Sequence, residues 1–119
     1  MIALAGAAWW AVGHVHQSDR AAAAAGSLLA RPILKPVCEP WHQFARQGGR
    51  TREQVTAEAG SARGPFEEAR QIAPGAGLDG AVTAVQFLDS LQEPGQAGAS
   101  DADVDRAVSV VDTACRPYA

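Results

Sequence analysis

Apolar residues recur at helical spacing through most of the C-terminal half of the chain. Val104, Ala107, Val108, Val111, Ala114 and Cys115 form one stripe, the pattern of a half-buried helix. Ser100 and Asp103 have the spacing of a capping pair at its start. Asp101, Asp103 and Asp105 stand in its first turns, where carboxylates complement the helix dipole. Arg116-Pro117 ends it. Upstream, Ala81, Val82, Ala84, Val85, Phe87, Leu88 and Leu91 cover a wide apolar arc broken only by Thr83, Gln86, Asp89 and Ser90. This segment is expected to be the central, most buried helix, capped by Asp79 and ending near Gln92. Thr51 and Gln54 have capping-box spacing, which predicts a helix from Arg52 to about Ala62 with a thin stripe of Val55, Ala59 and Ala62. Gly64-Pro65 is expected to break the chain before a further segment carrying Phe66, Ala69, Ile72 and Ala73 at helical spacing. Pro74, Gly75 and Gly77 close that segment.

The N-terminal half is more interrupted. Residues 21–31 favour helix through alanine and leucine. Pro32 and Pro36 are expected to end that helix and open a linker, because an interior proline lacks the donor and crowds the preceding turn. Pro40 suits the first turn of a short helix running to about Arg46, with Trp41, Phe44 and Ala45 on one face and Gly48-Gly49 after it. No segment alternates with the period of a strand, and no internal repeat is present. The pattern predicts an all-α chain: a signal or anchor helix, then a small irregular bundle of four to five short helices. Its expected divisions are a signal or membrane-anchor segment at 1–20, a proline-containing helical linker at 21–37, and a disulfide-closed helical domain at 38–119.

Residues 2–13 carry no charge, and the first formally charged side chain is Asp19. Roughly a dozen apolar residues fall short of the about 20 that span a bilayer and match the hydrophobic region of a signal peptide more closely. No Arg or Lys precedes them. An uncleaved or truncated anchor, a cleaved signal ending near Ala23 or Ala25, and a buried soluble helix are the three readings, in that order. Trp9 and Trp10 suit a membrane interface, where an apolar ring and a polar N–H both find partners.

Cys38 and Cys115 are the only two cysteines. An exported chain of this size is commonly closed by disulfides, and the alternative is a pair of buried free thiols. Joining them closes a loop of roughly 80 residues, worth about 4.5 kcal/mol by loss of chain entropy in the unfolded state. With the N-terminal segment set aside, so small a domain gains limited stability from burial alone. Cys115 falls on the buried stripe of its helix, a placement that suits an internal bond rather than an exposed redox thiol. The chain contains no C-x-x-C.

Lys35 is the single lysine, Asn is absent, and the formal net charge is -3. The usage of Arg and Ala points to a high-GC bacterial gene. The net charge argues against nucleic-acid binding, which needs a basic face to displace counterions. Charge is unevenly distributed. Arg31, Lys35, Arg46, Arg50, Arg52, Arg63 and Arg70 concentrate in residues 30–70, while acids outnumber bases beyond residue 71. Complementary packing of the two halves is the first reading. Surfaces aimed at different partners or at anionic lipid are the second.

No catalytic set emerges. Asp101, Asp103, Asp105, Ser109 and Asp112 match positions of a calcium loop, yet Arg106 replaces its turn glycine and Asp112 its long bidentate ligand; a capped helix start explains the same acids. Cys38 with His42, or His14 with His16, supplies too few ligands for structural zinc. No cofactor or metal is expected. Trp41, His42, Phe44, Phe66 and Phe87 form the candidate ligand or partner cluster. The expected function is a non-enzymatic cell-envelope accessory or interaction protein, membrane-anchored or secreted, with a membrane contact through its N-terminal segment and a protein partner in the envelope. The alternative is a small extracytoplasmic carrier of an apolar ligand, lipid or haem. A hydrolase or redox enzyme is a weaker third.

Overall fold

The computed structural model describes residues 26–119. The expected signal or anchor segment, including Trp9 and Trp10, lies outside the described residues. Those described are helical with no strand. Helix α1 covers residues 26–46. It is followed by α2 (Arg52–Ile72), α3 (Asp79–Asp89) and α4 (Asp101–Cys115). Single 3₁₀ turns occur at Pro74–Ala76, Pro94–Gln96 and Arg116–Tyr118.

Successive helices run antiparallel. The C-terminal part of α1, at Pro40 and Phe44, borders the start of α2 at Gln54 and Glu58. A side-chain carbon at Gly26 would stand only 2.9 Å from the Ala76 nitrogen. The first described turn of α1 therefore lies directly against the α2–α3 turn, an approach that requires glycine. Helix α3 packs between α2 and α4. Helix α4 returns along α1, where Cys38 bonds Cys115 across a sequence separation of 77 with Cα atoms 5.0 Å apart. Ala30, Leu34, Cys38, Trp41 and Phe44 of α1 enter the same core as Phe66, Val85, Leu88 and Val111.

Three local expectations hold at atomic level. The Thr51 hydroxyl accepts from the Gln54 backbone N–H at 3.1 Å, and the Gln54 side chain accepts from the Thr51 N–H at 3.0 Å. The Ser100 hydroxyl accepts from the Asp103 N–H at 3.1 Å. Val55, Ala59, Ala62, Val104, Val108, Val111 and Cys115 are all buried. Each satisfied donor at a helix start stabilises it by about 1 kcal/mol.

The prolines behave differently from the expectation. Pro32 and Pro36 neither end a helix nor open a linker, and Pro40 does not begin one; all three lie inside α1. Their spacing explains this. They recur every four residues and are exposed, while Ala30, Leu34 and Cys38, two positions earlier in each turn, are buried. The carbonyls deprived of a donor belong to Leu28, Pro32 and Pro36, all on exposed residues and free to bond water. A helix bends convex toward solvent, lengthening hydrogen bonds on that side, so proline rings there meet the least crowding. Pro65 follows the same rule: it lies within α2, and the carbonyl it leaves unpaired is that of exposed Ser61. Its predecessor, Gly64, lacks the Cβ that would clash with the ring. The expected break at Gly64-Pro65 is thus absent, and α2 continues to Ile72.

Two smaller corrections concern α3. Leu78, not Asp79, is its cap residue and makes no side-chain cap bond. The helix closes at Asp89, earlier than Gln92, where its ladder tightens to bonds from the Ser90 N–H to the Phe87 carbonyl and from the Leu91 N–H to the Leu88 carbonyl. Ile72, expected on the apolar stripe of its segment, is 47% exposed.

Cys115→Ala is expected to destabilise the oxidised chain by about 4.5 kcal/mol, and reductant should lower the parent's melting temperature comparably; equal melts would exclude a stabilising bond. Pro36→Ala restores a donor for the Pro32 carbonyl and is expected to raise the melting temperature in thermal circular dichroism, within a ceiling of about 3 kcal/mol.

Candidate functional site

The seam between α1 and α4 gathers most of the side chains singled out in the sequence. Trp41 and Phe44 lie three residues apart on the buried face of α1, and their rings meet edge-on with centroids 5.8 Å apart. Trp41 is 1% exposed, and its indole Nε1–H donates to the Val108 carbonyl at 3.2 Å. This satisfies the one polar atom of a large apolar ring. One turn toward the N-terminus, Cys38 is fully buried against Cys115. On the rim of the seam, His42 Nδ1 lies 2.9 Å from Asp112 Oδ1. His42 thus has a carboxylate partner on α4.

The remaining two members of the aromatic cluster sit elsewhere. Phe66 is fully buried on α2, and the ring–ring contact seen among the described residues joins Trp41 only to Phe44. Phe87 is half-buried and stands on the wall of an open groove between α3 and α4. Ala84 and Ala107 keep that groove shallow, Val110 is its exposed apolar edge, and Asp79, Asp103 and Arg106 rim it. Its volume is about 530 Å³. Spacing carried the signal for this groove: Gly80, Thr83, Ala84 and Phe87 fall on one side of α3, and small residues lower that wall. The pattern of apolar residues alone placed Phe87 in the core.

Arginines absent from the sequence-derived site organise the opposite end of the bundle. Arg50 Nη1–H donates to the Ala45 carbonyl at 2.6 Å and the Gln47 carbonyl at 2.9 Å, and Nη2–H donates to Asp105 Oδ1 at 3.2 Å. It caps the last carbonyls of α1, where a cation opposes the helix dipole. Its guanidinium also lies 5.8 Å from the Phe44 ring centre, within cation–π range. Arg52 donates to the Ala99 carbonyl at 2.6 Å and to Asp101 at 3.0 Å. Arg63 donates to Glu67 and to Asp89, each at 3.0 Å. Arg50, Arg52 and Arg63 of the basic first half thus pair across helices with Asp105, Asp101 and Asp89 of the acidic second half. Asp101, Asp103 and Asp105 lie in the helical first turns of α4, so the calcium-loop spacing falls on a helix. Among the described residues no group of three or more His, Cys, Asp or Glu gathers as a metal site.

The fold makes the Glu67 carboxyl more acidic. The amide of Gln86 donates to it at 3.1 Å and Arg63 adds a second bond. These hold its carboxyl below the ordinary value of 4.5, against an opposing effect of desolvation. Arg63 is held correspondingly further toward its charged form by Glu67 and Asp89.

No family model matches this chain, and no similar protein emerges among the curated proteins or the solved structures.

Because Glu67 is more acidic in the folded chain, its contribution to stability is complete above pH 4.5 and fades as pH falls through the lowered folded value. Glu67→Gln is expected to flatten the acid limb of a urea-unfolding series measured below pH 4.5, while retaining a partner for Gln86.

Proposed function

We propose that this chain is an exported, non-enzymatic interaction module of the cell envelope, tethered by its apolar N-terminal segment. The Cys38–Cys115 bond is the observation that carries this reading. Disulfides persist in oxidising compartments and are rare in the cytosol. This one joins the first helix of the described chain to the last, which is how a staple adds most to a small fold. The uncharged run at residues 2–13 supports export from a second direction. Among the described residues no helix is long and apolar enough to cross a membrane, so tethering is assigned to the segment upstream of them.

Side chains over the α1–α4 seam are committed to the core, to capping or to cross-helix pairs. The α3–α4 groove is a concave apolar surface outside that core, and in this reading it receives an apolar side chain or helix of a protein partner. A second reading, a carrier of an apolar ligand such as lipid or haem, draws on the same groove because Phe87 forms its wall.

The decisive measurement is thiol alkylation followed by intact-mass analysis of protein from freshly lysed, fractionated host cells. The envelope reading expects the unlabelled, oxidised mass in the membrane or extracytoplasmic fraction. Two labelled thiols in a cytosolic fraction would overturn it. Native mass spectrometry of the same material separates the two readings. A stoichiometric lipid or haem identifies a carrier, and a stoichiometric protein identifies a docking module.

A further inference from the structure

Four large apolar residues of the described chain are conspicuously exposed: Leu28 at 69%, Leu29 at 55%, Ile72 at 47% and Val110 at 39%. Val110 belongs to the α3–α4 groove. The other three share one end of the bundle. Leu28 and Leu29 lie in the first described turn of α1, Ile72 is the last residue of α2, and the Gly26 backbone abuts Ala76 just beyond it. Arg31 and Lys35 follow Leu28 at three- and seven-residue spacing, which places all three along one strip of α1. Both basic residues are exposed. Neither forms an ion pair with a carboxylate among the described residues, nor do Arg46 and Arg70, whereas Arg50, Arg52 and Arg63 are each engaged by at least one.

The chain upstream says what faces this end. The apolar run stops at Gly13, and only residues 14–25 separate it from the described helix. Even fully extended, a connection of that length reaches about 40 Å. A bilayer that takes up residues 2–13 is therefore always close to this end of the bundle. A second contact with the same membrane strengthens attachment beyond what one anchoring segment supplies.

We propose that this end is that second contact, docked on an anionic lipid surface. Leu28, Leu29 and Ile72 enter the interfacial region, while Arg31 and Lys35 lay their stems along it and present their charges to lipid phosphates. The acid-rich start of α4 and the α3–α4 groove remain available to a partner. The inference rests on the tethering reading above and adds an orientation and a lipid preference to it.

The test is flotation of the full chain with phosphatidylcholine vesicles, alone or mixed with phosphatidylglycerol. The parent is expected to partition more strongly onto the mixed vesicles, with the difference shrinking as salt rises. Lys35→Gln should weaken binding to mixed vesicles about fivefold, and Arg31→Gln with Lys35→Gln about 10–30-fold. Binding to phosphatidylcholine alone should be unchanged by either. Leu28→Ser with Leu29→Ser should weaken binding to both vesicle types. All four side chains are exposed, so each variant is expected to melt with the parent. Equal binding of the parent and the charge variants to mixed vesicles overturns the lipid contact and leaves tethering intact. Failure of the parent to float with either vesicle removes the tether, and this inference with it.

Discussion

Helix α1 reaches the core through one stripe, Ala30, Leu34, Cys38, Trp41 and Phe44, and α4 holds that stripe in place. The covalent bond between Cys38 and Cys115 sets the position of one helix along the other. The indole hydrogen bond from Trp41 to the Val108 carbonyl sets the rotation of α1 about its own axis. The two constraints lie within one turn of each other on α1 and are both buried. Together they leave α1 little freedom to slide or roll. Arg50 then closes the free end of α1 and ties it to the first turns of α4.

This seam accounts for the tolerance of proline. An exposed helix with Pro at every fourth position would not persist alone in water, since each ring costs about 3 kcal/mol relative to Ala. The buried stripe offsets that cost by keeping the apolar side chains of α1 out of water. Orientation does the rest, because each unpaired carbonyl faces solvent and no buried polar group is stranded. Among the described residues, no buried side-chain nitrogen or oxygen lacks a partner. The prolines thus shape the outer surface of α1 without intruding on the core.

The charge distribution has two consequences. At one end, Arg50 and Arg52 of the first half pair with Asp105 and Asp101 of the second, and midway along α2 Arg63 pairs with Asp89. These pairs are partly exposed and individually worth little, yet they set which helices neighbour one another. At the other end, Arg31 and Lys35 remain outward beside exposed leucines. The bundle is thereby differentiated along its length, with a basic, apolar end nearest the upstream segment and an acidic start of α4 away from it. The proposed membrane contact and partner surface both draw on that asymmetry.

The helix starts at Thr51 and Ser100, the buried stripes of α2 and α4, the central position of α3 and the pairing of the two cysteines were legible in the residues alone. These are local or arithmetical: a hydroxyl three residues from its donor, apolar residues at the helical period, two thiols with one way to join. Only the packed fold shows that α1 and α2 run unbroken through Pro32, Pro36, Pro40 and Pro65, that Phe87 is only half-buried and Ile72 exposed, and which carboxylates Arg50, Arg52 and Arg63 meet. The penalty of a proline is local, but its compensation is burial contributed by other helices. A charge visible in the sequence acquires its partner only when two distant segments are brought side by side.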